Sequence, residues 1–158
     1  MKRSIVILSS VIAFFVFSST SCGDDEPFVN IKAIESQIFN EIDAYRIANG
    51  IPDENPFVHQ FVMVKEAQIF SAGMESTGLD TTGISDHWQI IHDKIGGYND
   101  LTLIQATNEG TAAGIVANWT SDSTTASLML KDYSQCGVGL HTGSDNVNYV
   151  TVLMMKVD

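Results

Sequence analysis

Apolar residues recur along this chain in two rhythms. In "IKAIESQIFNEIDAYRIANG", Ile31, Ile34, Ile38, Ile42 and Tyr45 fall at three- and four-residue steps, the stripe of one helix face. Asn30 is a good N-cap residue for it, and Gly50 and Pro52 stop it. A second helix is expected from about Val58 to Met74. Met63, Ala67, Phe70 and Met74 form its main face and Phe61, Val62 and Ile69 widen it, so it should be covered on several sides. "STGLDTTG" reads as a loop, after which Ser85 can cap a third helix that runs to Ile95 and ends at Gly96 and Gly97. Then the rhythm changes. "LTLIQATN" is short, β-branched and apolar enough for a strand, "TAAGIVANW" is helical, and "TTASLML" adds a turn or two. "QCGVGLHTGSDNVNYVTVLMMKV" holds two strand-like runs separated by Gly, Ser, Asp and Asn, the composition of a hairpin. In its last run Val147, Tyr149, Thr151, Leu153 and Met155 fill one face and Val150, Val152 and Met154 the other. Both faces are apolar, so this strand should be covered on both sides. Helices first and a doubly covered hairpin last predict an α+β domain: a three-layer α-β-α sandwich with a small antiparallel sheet.

The N-terminus follows different rules. Lys2 and Arg3 precede an apolar run from Ile5 to Phe17, which is too short to span a bilayer as a permanent helix. "SSTSC" follows, and the order resembles a bacterial lipoprotein signal in which Cys22 is lipidated and begins the mature chain. Phe17 and Ser18 stand where such signals usually carry a leucine; the alternative is a plain secretory signal cut nearby. The acidic "GDDEP" after the cysteine is either similar to the export tag of surface-displayed lipoproteins or a solvated tether. The expected organisation is therefore a signal peptide at 1–21, a tether at 22–29 and one domain at 30–158.

Charge narrows the function classes. The net charge of −11 becomes −13 once Lys2 and Arg3 are removed with the signal. An acidic chain without a basic cluster argues against nucleic-acid binding and against electrostatic docking on anionic lipid. With Cys22 assigned to lipid, Cys136 stands alone, and the domain must stabilise itself by packing rather than by a disulfide. Within a strand before "GVG", that thiol reads as core. The stretch "SDHWQIIHDKI" concentrates histidines, but His87 and His92 are five apart and point about 140° from each other on a helix. Two ligands for one ion want a spacing of three or four. At most one of them serves a site. His59 reads as a surface group and His141 as an exposed turn residue, although His141 could supply a second imidazole. Trp88 and Trp119 are expected to pack between helix and sheet.

In order and spacing, several short motifs resemble the CAP superfamily of cysteine-rich secretory, antigen 5 and pathogenesis-related proteins, also called SCP-like domains. "IFNEIDAYRIANGIP" is similar to the opening helix of that family and "AQIFSAGM" to its second. His87 stands where the family histidine follows the next loop. "NEG" at 108–110 resembles the "GEN" signature, with Glu109 as its glutamate. Trp119 matches a helix tryptophan, "CGVGL" the "G.G" strand and "YVTVLM" the closing strand. Family members with a complete site hold two histidines and two acidic residues around a cleft, where the histidines can bind zinc. Here the second histidine falls on Thr124 or Thr125, within "DSTTASLML". Asp122, three residues after Trp119, has the spacing of the second acid, and the shortened segment from Glu109 to Trp119 should trim one cleft wall.

The resemblance thus implies a degenerate cleft containing His87, hydrogen-bonded to Glu109, with Asp122 nearby. One imidazole with one or two carboxylates under-ligates zinc, so no cofactor is expected and His87 is at best a lone metal ligand. The expected function is a lipid-anchored extracytoplasmic binding module at the outer membrane or cell surface. The membrane is its partner through lipidated Cys22, and its ligand is either a lipid- or sterol-like molecule or an envelope protein or glycan. The alternative is a divergent metal-assisted hydrolase using His87 and Glu109.

Overall fold

The computed structural model describes residues 29–52, 57–96, 98–108 and 110–157. The signal segment, Cys22 and the acidic run after it, and Glu109, lie outside the described residues. The element order is α1 (Ala33–Ala48), β1 (Val58–His59), α2 (Phe61–Thr77), α3 (Ile84–Ile95), β2 (Tyr98–Asn108), α4 (Ala112–Ser121), α5 (Ser123–Met129), β3 (Gln135–Thr142) and β4 (Asn148–Val157). The strands form one sheet in the order β1-β3-β4-β2. Its body is antiparallel, with β4 central between β3 and β2. The two-residue β1 pairs with β3 in parallel, which makes the sheet mixed rather than wholly antiparallel.

β4 is buried without a break from Tyr149 to Met155, as a strand covered on both faces must be. Its two faces feed two cores. Val150, Val152 and Met154 join Cys136, Val138 and Leu140 of β3 under α1 and α4, where Ile38, Ile42, Ile115, Val116 and Trp119 pack. Leu153 and Met155 point the other way, onto Met63 and Ala67 of α2 and Ile91 of α3. The result is the α-β-α sandwich, with α2 and α3 in one layer and α1 and α4 in the other.

Gly137 and Gly139 set the height of α2 above the sheet. A Cβ on Gly137 would stand 2.2 Å from the carbonyl carbon of Met63, and one on Gly139 2.1 Å from that of Ala67. Two glycines one strand repeat apart thus meet two residues one helical turn apart, and the helix backbone lies directly on β3. The "G.G" pattern is a contact surface here.

Polar residues close what the ladder leaves open. Beyond β1 the outer edge of β3 is met by side chains: Glu35 accepts from the Leu140 amide at 2.8 Å, and Lys32 Nζ donates to the Leu140 carbonyl. Glu35 is fully buried, also accepts from the Lys32 amide at 2.7 Å, and holds Gln68 of α2. That carboxylate starts α1 at Ala33, with Lys32 rather than Asn30 in the cap position. Arg46, near the other end of α1, is 1% exposed and donates to the carbonyls of Met129, Lys131 and Tyr133 at 2.7–2.8 Å. Its guanidinium also lies 4.2 Å from the centre of the Phe57 ring.

Four further expectations need correction. α2 begins at Phe61 because Val58 and His59 are drawn into pairing with β3. α3 begins at Ile84, after Gly83 at φ +82°, so Ser85 lies inside its first turn and is not its cap. The outer side of α2 is open: Phe61 is 59% and Ile69 50% exposed, against the expectation that they are covered. His59 is no surface group. It is half-buried, stacks on Phe39 at 4.6 Å, and its Nε2 faces the Val138 amide at 3.4 Å.

Burial lowers the His59 pKa from its ordinary 6.5. The unfolded chain therefore takes up this proton first as pH falls. Stability from this group is complete above about 6.5 and is lost as pH falls through that value towards the lower folded one. Melting temperature should fall between pH 7.5 and 5, and the slope should be smaller in His59→Phe. Equal slopes in the two proteins would remove His59 from the account.

Candidate functional site

α2 and α3 form the walls of a cleft of about 330 Å³, lined by Ile69, Phe70, Gly73, Met74, Thr77, Asp80, Thr82 and His87. Its floor is apolar because the α2 face that meets the sheet, Phe70 and Met74, continues into it. The loop from Gly78 to Gly83 makes the polar rim. There Asp80 Oδ1 accepts from the Thr82 amide at 2.9 Å and its hydroxyl at 2.8 Å, which lowers the Asp80 pKa. Gln105 of β2 anchors the loop through the Asp80 carbonyl at 3.0 Å.

His87 enters from the first turns of α3. Its Nδ1 lies 2.7 Å from Glu66 Oε2, and its ring meets the Phe70 ring edge-on at 5.2 Å. The Glu66 side chain is 4% exposed and that of His87 19%. A carboxylate accepts, so the proton between them sits on Nδ1, and in the neutral ring Nε2 is an acceptor. Nε2 has no hydrogen-bond partner among the described residues. The arrangement offers one oriented, partly buried acceptor beside an apolar floor.

Glu66 was not among the candidates, yet its position carries a signal. It falls beside Met63, Ala67 and Phe70 on the buried arc of α2, and a carboxylate there needs a partner. The expected partner of His87, Glu109, lies outside the described residues.

The other candidates go elsewhere. Asp122 is in the opposite layer, at the junction of α4 and α5, where its Oδ1 accepts from the Thr125 amide at 2.8 Å and caps α5. That bond lowers its pKa. Thr124 and Thr125 follow in α5, so the segment expected to carry a second histidine is not brought to His87. His92 is exposed on α3 beside Asp93, as the five-residue spacing requires. His141 lies on β3 and pairs with Glu75 of α2 at 2.7 Å. Glu75 also accepts from the Ser144 amide at 2.7 Å, and this bond, with His141, holds its pKa at about 2. His87, His92 and His141 thus each lie beside a different carboxylate. Among the described residues no three His, Cys, Asp or Glu side chains are grouped to hold a metal ion. His87 commits Nδ1 to Glu66 and leaves one donor atom, so the donors among the described residues do not fit a zinc site. Cys136 is buried on the far side of the sheet, and burial pushes its thiol pKa far up. Trp119 is buried under α4, while Trp88 packs at the edge of the α2–α3 core.

No family model and no curated protein sequence matches this chain. Solved structures do. An outer surface protein of Borrelia burgdorferi superposes with a TM-score of 0.68 at 17% identity, over 82% of this chain and 97% of that one. An extracellular SCP-domain protein of Bacillus anthracis gives 0.64 at 13%, over 77% of this chain and 40% of the other. A cysteine-rich secretory protein of Staphylococcus aureus gives 0.54 at 12%, over 81% and 40%. This chain spans less than half the length of the last two. Such identities carry the fold alone, and that fold is the one expected from the motifs: the chain has a CAP-like, SCP-type fold.

Proposed function

We propose that this protein is a lipid-anchored, extracytoplasmic CAP-domain binding module whose α2–α3 cleft takes a small apolar ligand. The observation that carries this reading is the cleft itself, an apolar lining of Ile69, Phe70 and Met74 with one imidazole fixed by Glu66. A ligand with an aliphatic body and a hydroxyl-like end fits it: burial of the body supplies the affinity and donation to Nε2 the orientation. A glycan would find too few polar partners on that lining. The names of the Borrelia and Bacillus proteins, an outer surface and an extracellular protein, support a place outside the cytoplasm. The lipoprotein-like "SSTSC" supports anchoring through Cys22, and the acidic run after it supports display on the cell surface.

Metal-assisted hydrolysis is the competing chemistry, and zinc separates the two. Titration of the mature protein with zinc should show no stoichiometric micromolar site. Binding at that level, abolished by His87→Ala, would overturn the reading in favour of a metal centre.

A further inference from the structure

The outer side of α2 combines exposed large apolar side chains with an absence of carboxylates. At three- and four-residue steps it presents Phe61, Lys65, Ile69, Ala72 and Ser76, without a carboxylate, in a protein with 19 acidic residues. Phe61, Ile69 and, in the loop after the helix, Leu79 are 59%, 50% and 57% exposed. Of the carboxylates beside this stripe, Glu75 is turned to the hairpin and held by His141 and Ser144, and Asp80, next to Leu79, is bonded to Thr82. The described chain begins beside the same helix: the Asn30 carbonyl accepts from Gln68 Nε2 at 3.1 Å. Asn30 lies eight residue steps beyond Cys22, a reach of at most about 29 Å.

We infer that the outer face of α2 rests on the lipid surface, with Phe61, Ile69 and Leu79 in the headgroup layer and the mouth of the cleft facing the bilayer. This rests on the proposed anchor at Cys22. An anchor that short holds the domain within one diameter of the membrane, and the face next to the tether is the one that meets it. A net charge of −13 repels anionic lipid, and a stripe without carboxylates is spared that repulsion. Exposed aromatic and aliphatic side chains gain by entering the interface. Ile69 both lines the cleft and lies on this face, so an apolar ligand can pass between cleft and lipid without crossing water.

The test uses the mature lipidated protein in phosphatidylcholine vesicles carrying a nitroxide on the acyl chain. An environment-sensitive fluorophore is placed at Ala72→Cys on α2 or at Ala117→Cys, exposed on α4 in the opposite layer. Cys136 is buried and does not compete for the label. In protein that floats with the vesicles, the label at 72 should be quenched severalfold more than the label at 117. The triple change Phe61→Ser, Ile69→Ser, Leu79→Ser should bring the label at 72 down to the level at 117 while flotation is retained. Equal quenching at 72 and 117 in floating protein overturns the inference and leaves the anchor standing. Failure to float overturns the anchor and the inference with it.

Discussion

Gly137→Ala and Gly139→Ala are each expected to destabilise the fold by about 3 kcal/mol or more, at the upper end of what overpacking costs, and the double variant is expected not to fold. The added methyl carbon would meet the backbone of α2, at 2.2 Å from Met63 in one case and 2.1 Å from Ala67 in the other. A side chain can rotate away from such a contact. Helix backbone cannot, so α2 must lift from β3 as a body and open the packing of Met63 and Ala67 against Leu153 and Met155. Gly73→Ala is the contrast within α2. Nothing lies within 4 Å of a Cβ there, and the change should stabilise by about 0.5–1 kcal/mol through helix propensity alone. Denaturant unfolding of the three single variants checks the pattern. A loss below 1 kcal/mol at both strand glycines would mean that α2 does not sit where it is described.

Arg46→Met should cost about 3–5 kcal/mol, the range for removing one member of a buried charged network. The guanidinium fork serves three carbonyls at and just beyond the end of α5 and lies over Phe57, joining α1 to the segment that leads into β3. Methionine fills much of the volume but donates nothing, and the buried Met129 and Tyr133 carbonyls lose their partner. Arg46→Lys should recover part of the loss, since an ammonium reaches fewer carbonyls at once and cannot lie flat on the ring. Denaturation midpoints for the two variants give the ranking, and equal losses for Lys and Met would deny the fork its role.

The layers of this fold were legible because hydrophobic period is a local property. The alternation in β4 announced two covered faces, and Val150, Val152 and Met154 do face one core while Leu153 and Met155 face the other. The stripe of α1 placed Ile38 and Ile42 correctly in the interior. Helix starts were less legible because long-range polar contacts decide them. Glu35 is held by Leu140, 105 residues away, and draws the start of α1 past Asn30. His59 reads as a surface residue until β3 is placed beside it. The site was legible only in part. Spacing alone separated His87 from His92, and their burial differs as that spacing requires. What could not be read was the partner of His87, because Glu66 lies on a different helix and no local pattern joins the two. Asp122 had the right distance in sequence from Trp119 but belongs to the other layer, where capping α5 uses its carboxylate. Motif order carries the fold; whether the residues converge depends on the layers.

Binding in the α2–α3 cleft is tested most directly by titrating the mature protein with 1-decanol and comparing it with Gly73→Leu. Gly73 lines the cleft and has open space above it, so leucine fills the cavity without disturbing the helix. Calorimetry should show one saturable site in the parent protein, weakened at least tenfold in Gly73→Leu and more modestly in His87→Phe, which keeps the ring but not the acceptor. Affinity unchanged by Gly73→Leu, or no saturable binding to the parent protein, would contradict the account.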